Sequence, residues 1–203
     1  MIKVLLIDTG VVAMLGLGGL VSPTTDAPSH IHGTQVAYII KGKGLCDEVK
    51  ITSCDYFKEG LMTCLSHASQ YDFVNMSIQG DREFYPEKNL IILASNSGTI
   101  FTVASGNSGY KDIRVEKSYP ASYKYEGVNT NFFVVGDSDF KPANNGPGVL
   151  SEPAIRKVPD KIGQLYWGRG TSYSAPGLLN KMLTALCKER NNLDKEIMCN
   201  KSY

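Results

Sequence analysis

Val4-Leu5-Leu6-Ile7-Asp8-Thr9-Gly10 is the stretch on which the fold turns. Four consecutive apolar residues leave no polar face, so the segment reads as a strand buried on both sides, as in a parallel sheet. Asp-Thr-Gly then stops it. Residues 22–31 form a polar, Pro-containing loop. After His32-Gly33-Thr34, the residues Val36, Ala37, Ile39 and Ile40 share one face of a short helix that Gly42 and Gly44 close. Residues 49–53 alternate as a strand, and Leu61, Cys64, Leu65 and Ala68 mark one helical face over 57–69. Residues 73–77 read as the next strand, and 86–96 as a helix opening on Pro86. Residues 99–104 and 132–135 are β-rich apolar runs, whereas 105–130 and 141–170 look irregular. From Ser172 onward Ala175, Leu178, Leu179, Met182, Leu183 and Leu186 mark a long amphipathic helix. Strands alternating with helices predict an α/β layer fold, a mainly parallel central sheet flanked by helices, in a single domain over 1–203.

Composition narrows the function classes. In 203 residues, 42% are hydrophobic and 20% charged, which suits a globular core and excludes disorder. The formal net charge of +1 removes the electrostatic argument for a nucleic-acid or anionic-membrane partner. The apolar run before Asp8 is too short for a signal peptide, and the next one dissolves into Gly16, Gly18 and Gly19. No stretch nears the ~18–20 residues of a membrane span, so a cytoplasmic protein is expected. Gly16-Leu17-Gly18-Gly19 lacks the full spacing of a dinucleotide-binding loop.

The five cysteines, Cys46, Cys54, Cys64, Cys187 and Cys199, are odd in number and scattered, against a full disulfide framework. Cys187 with Cys199 is a candidate for one bridge. Cys64 and His67 make one C-x-x-H without a second pair at zinc spacing, so no metal site is expected.

Three residues at element ends carry the chemistry. Asp8 follows a buried strand, His32 opens a helix, and Ser172 opens another in Gly170-Thr171-Ser172-Tyr173-Ser174-Ala175-Pro176. Nucleophilic hydrolysis needs a hydroxyl, a base to deprotonate it, and a carboxylate to fix the base's tautomer. Asn107, in Ala104-Ser105-Gly106-Asn107-Ser108-Gly109, sets a side-chain amide just past another strand. Each signal is weak alone, but the order Asp, His, Ser is that of subtilisin rather than of chymotrypsin or the α/β-hydrolases.

In these blocks, and in Val74-Asn75-Met76-Ser77, the chain resembles the subtilisin-like serine peptidases, the blocks together spanning residues 7–176. The resemblance implies a three-layer subtilisin-like fold and an endopeptidase acting on polypeptides. Asp8 would orient His32, His32 would act as general base and then acid, and Ser172 would be the nucleophile. Asn107 and the Ser172 backbone N–H would hold the oxyanion. It further implies substrate contacts at Ser77, Ile78, Gln79 and Gly80, which would add an extended peptide as a strand. Ala104, Ser105 and Gly106 would form the opposite wall of the specificity pocket, with the small Ser118 at its floor leaving room for a bulky side chain. Gln79 stands where the family commonly has Gly, and Gln35 replaces a second His. Residues 9–31 and 41–56 are much shorter than in secreted members of the family and lack the acidic loops associated there with bound calcium, so neither calcium nor another cofactor is expected. The first motif lies next to Met1, which points either to a mature form or to a minimal enzyme that folds without a pro-segment. A monomer is expected, restrained by a separate protein inhibitor, by slow intrinsic turnover or by timed expression. The alternative is a catalytically silent relative that binds peptides in the same groove.

Overall fold

The computed structural model describes residues 1–12, 17, 21–22, 28–128 and 131–200. Its main sheet contains β1 (Ile2–Asp8), β2 (Val21–Ser22), β3 (Val49–Asp55), β4 (Phe73–Met76), β5 (Ile100–Ala104), β6 (Phe132–Gly136) and β7 (Leu150–Ser151), ordered β2-β3-β1-β4-β5-β6-β7. Every pairing in it is parallel. The fold class read from the sequence is therefore the one observed.

Alternation along β1 explains its apolar run. Val4 and Leu6 face a cluster with Val36, Ala37 and Ile40 of α1 (His32–Lys41) and Leu179 and Leu183 of α5 (Ser174–Asn200). Leu5 and Ile7 face the other layer, with Met76, Val103, Cys64 and Leu65, and Ile91 of α4 (Tyr85–Asn96), which has Pro86 in its first turn. A strand covered by helices on both faces needs apolar residues at successive positions.

Two segments differ from the reading. The helix expected over 57–69 is broken into α2 (Tyr56–Glu59), α3 (Leu61–Ser66) and a 3₁₀ turn, Ala68–Gln70. Gly60, at φ 84°, separates the first two. Within the supposedly irregular 141–170 lies an antiparallel hairpin of β8 (Ile155–Pro159) and β9 (Leu165–Arg169). Pro159 at the strand end and an exposed face rich in apolar residues hid its period-two pattern.

The cysteine pairing is also corrected. Cys187 bonds to Cys46, and Cys54 bonds to Cys64. The proposed Cys187–Cys199 bridge is thus excluded by Cys187 being taken; the Cys199 side chain lies outside the described residues, as do Gly16, Gly18 and Gly19. Cys64, being in a disulfide, is no zinc thiolate. Among the described residues no helix is long and apolar enough to cross a membrane.

The Cys46–Cys187 bridge joins residues 141 apart and ties the loop after α1 to the long C-terminal helix. Closing so long a loop restricts the unfolded chain more than the separation of 10 between Cys54 and Cys64. In urea denaturation the Cys46→Ser/Cys187→Ser variant should lose about 2–4 kcal/mol, more than Cys54→Ser/Cys64→Ser.

Glu87 is buried in the first turn of its helix and accepts a hydrogen bond from the Tyr123 hydroxyl at 3.4 Å. Burial pushes its carboxyl up to about 7, outweighing the opposite pull of Tyr123. The folded state thus favours the neutral acid. This contribution to stability is complete below the ordinary 4.5 and is lost as pH rises through about 7. Between pH 5 and 8 the protein should lose on the order of 2 kcal/mol relative to Glu87→Gln, read as a difference in urea midpoints.

Candidate active site

The carboxyl ends of β1, β4 and β5 meet on one edge of the sheet, and the chemistry-bearing residues gather there. Asp8 ends β1, fully buried, with Oδ1 accepting from the Thr9 N–H and facing His32 Nδ1, both at 2.8 Å. His32 starts α1 because the chain turns back at once. A Cβ on Gly33 would collide with the backbone of Gly10, so the helix approaches β1 this closely only with glycine at 33. Thr9 locks the turn by donating to His30 O and accepting from the Gly33 N–H.

Burial alone would lower the His32 pKa. The hydrogen bond to Asp8 and its negative charge together outweigh that and hold it above the usual 6.5. With Nδ1 committed to Asp8, Nε2 is the ring nitrogen left for chemistry. The Tyr173 ring stacks on the imidazole, centroids 5.8 Å apart.

Ser172 lies in the 3₁₀ turn Thr171–Tyr173 that leads into α5. Its carbonyl accepts from Ser77 Oγ at 2.8 Å, and its own hydroxyl donates to Ser77 O at 3.4 Å. Among the described residues, Ser172 Oγ has no hydrogen bond to His32. Both residues nonetheless line one cleft of about 660 Å³, together with Asp8, Ser77, Ile78 and Gln79. Behind Ser77 runs a buried chain of hydrogen bonds. Thr102 Oγ1 donates to Asn75 Oδ1 at 3.1 Å, and Asn75 Nδ2 donates to Ser77 Oγ at 2.9 Å.

Asn107 Oδ1 accepts from the Thr171 N–H at 2.9 Å, which fixes the amide and turns Nδ2 away from that bond. Thr171 Oγ1 also accepts from the Gly106 N–H. The loop after β5 is thereby fastened to the turn that holds Ser172.

The segments expected to bind substrate divide. Ile78 and Gln79 line the cleft, but Gly80 exchanges both backbone hydrogen bonds with Tyr119, at 2.7 and 2.9 Å. Ala104, Ser105 and Ser118 are buried. Ser105 Oγ donates to Asn144 O, and the Gly106 carbonyl accepts from the Asn144 N–H. Ser118 Oγ has no hydrogen-bond partner among the described residues. The Gln79 side chain passes close to Gly106, beside Ser118, and reaches the Asn107-Ser108 loop.

Several supporting residues escaped the sequence reading. Asp55, opposite Asp8 in the β1–β3 register, accepts from the backbone and hydroxyl of Ser29 and caps α2 at the Phe57 N–H. Gln35 donates to Pro159 O and the Tyr166 hydroxyl and accepts from the Tyr173 hydroxyl. Tyr56 and Phe57, stacked on one another, line the cleft beside His32. An aromatic pair directly after a strand end was the signal available for the last of these.

No family model and no curated protein matches the chain. Solved structures do. A cold-adapted subtilisin-like serine proteinase superposes with a TM-score of 0.69 at 21% identity, covering 92% of this chain and 76% of that one. A lanthipeptide protease gives 0.72 at 16%, covering 94% and 74%. An epidermin leader peptide processing serine protease from Staphylococcus aureus gives 0.67 at 17%, covering 97% and 68%. The fold is subtilisin-like.

The His32–Asp8 pair has a direct readout. In an NMR titration of the ring protons His32 should titrate above 6.5, and Asp8→Asn should bring it below, since burial then acts without the carboxylate's charge. A midpoint unmoved by Asp8→Asn would contradict the cause assigned here.

Proposed function

We propose that the chain is a serine endopeptidase whose nucleophile is Ser172. The observation that carries the reading is the buried Asp8 carboxylate on His32 Nδ1, set in the same cleft as Ser172. Catalysis in this reading requires rotation about the Ser172 Cα–Cβ bond to bring Oγ from the Ser77 carbonyl to His32 Nε2; such contacts often tighten only when substrate is bound. Nε2 then accepts the hydroxyl proton as Oγ attacks the peptide carbonyl, and the imidazolium forms against Asp8. The oxygen that becomes negative is met by Asn107 Nδ2 and the Ser172 N–H. The tetrahedral adduct collapses as His32 passes its proton to the leaving amine, leaving an ester on Ser172. Water, deprotonated by His32, releases the acid by the same steps.

The substrate in this reading is a polypeptide in extended form, lying along residues 77–79, with no cofactor taking part. Two disulfides support an oxidising compartment over the cytoplasm expected from the N-terminal sequence. The Ser172 hydroxyl bonded to Ser77 O favours a second reading, a peptide-binding module with a silent triad.

A fluorophosphonate probe separates the two, since it reacts only with an activated serine. The chain should label and Ser172→Ala should not. Asn107→Ala should fold and hydrolyse peptides with kcat lower by about 10²–10³, the scale of one lost oxyanion donor. A folded chain that fails to label is the silent module.

A further inference from the structure

We propose that Gln79 is a built-in stopper of the pocket for the side chain on the acyl side of the scissile bond, restricting that residue to glycine or alanine. The proposal rests on the peptidase reading above. A carbonyl attacked by Ser172 and held by Asn107 puts its own residue between the ends of β4 and β5, over Gly106. Gly106 is buried at φ +98°, and a Cβ there would stand 2.5 Å from Ser118 Oγ, 2.6 Å from Asn144 Nδ2 and 2.9 Å from Gln79 Cδ. The Gln79 amide therefore lies on the bed of the pocket.

It is anchored at both ends. Oε1 accepts from the Asn107 N–H at 2.8 Å, and Nε2 donates to Ser108 Oγ at 2.6 Å. Stretched across the groove in this way, Gln79 belongs to the walls of two clefts. One is the cleft of Ser172 and His32; the other, of about 470 Å³, is lined by Gly80, Asp81, Ser108, Lys111 and Lys117. On this proposal a hydrogen or a methyl group is small enough to leave the amide in place. A larger side chain has to break both hydrogen bonds, and two bonds of ordinary strength correspond to about 5- to 100-fold in rate.

The test compares kcat/KM for acetyl-Ala-Ala-Ala-Ala and acetyl-Ala-Ala-Ala-Phe p-nitroanilides. The wild type should prefer alanine by about 5- to 100-fold, and Gln79→Gly should reduce that ratio to unity or reverse it. Loosening of Asn107 in the variant slows both substrates alike, so the ratio isolates the pocket. Equal rates on both substrates in the wild type, or a ratio unchanged in Gln79→Gly, overturn the stopper. Labelling by a small fluorophosphonate, which carries no such side chain, reports on Ser172 independently. A chain that labels but shows no preference loses the Gln79 assignment alone, and one that neither labels nor hydrolyses loses the peptidase reading with it.

Discussion

The parallel pairing of β1 with β3 on one side and β4 on the other governs the rest of the structure. All strands of the sheet point one way, so their carboxyl ends share an edge and every return connection must cross a face as helix or loop. β1 sits where the order reverses: the chain goes to β2 and β3 on one flank, then crosses to β4 and beyond on the other. A crevice at the carboxyl ends is the geometric result, and in open α/β sheets it is the usual place for ligands. Asp8 and Ser77 border it from adjacent strands, and the first turn of α1 and the turn before α5 bring His32 and Ser172 to it.

That placement explains what was legible from residues alone. A strand buried on both faces shows as a continuous apolar run, and its end shows as the first polar residue, which is Asp8. Helix starts carry Gly and hydroxyl residues because the backbone turns sharply there, and so His32-Gly33-Thr34 and Gly170-Thr171-Ser172 stood out. Asn107 was legible because its strand ends in the small residues that let the loop pass under the Ser172 turn. These are local signals, each contained in a few neighbouring residues.

What stayed hidden depends on distant partners. Nothing near Cys46 points to Cys187, because the bond exists only once α5 has packed beside the loop after α1. The hairpin of β8 and β9 packs through few positions, Val158 and Gly168 among its buried residues, while Leu165, Trp167 and much of Tyr166 are exposed. A strand pair of that kind has no core-facing alternation to read. Gln79 is an intermediate case. Its identity hinted at crowding of the groove, but only the positions of Asn107, Ser108 and Gly106 show that its amide lies across the pocket.

The hairpin also gives Gln35 a use that a comparison of residue types alone missed. Its side chain joins three groups from separate parts of the chain: the Pro159 carbonyl, the Tyr166 hydroxyl and the Tyr173 hydroxyl. Tyr173 in turn stacks on His32 and follows Ser172 directly. An amide serves here because it donates and accepts at once: Nε2 donates to Pro159 and Tyr166 while Oε1 takes the Tyr173 proton. A histidine ring in its place has one donor and one acceptor when neutral and no acceptor when charged. Burial of Tyr173 and the nearby hydroxyl of Tyr166 push its phenol up to about 12, so it stays a donor throughout the range in which His32 titrates. The wall behind the imidazole is thus held by neutral groups, and Asp8 is left as the charge that meets His32 on Nδ1.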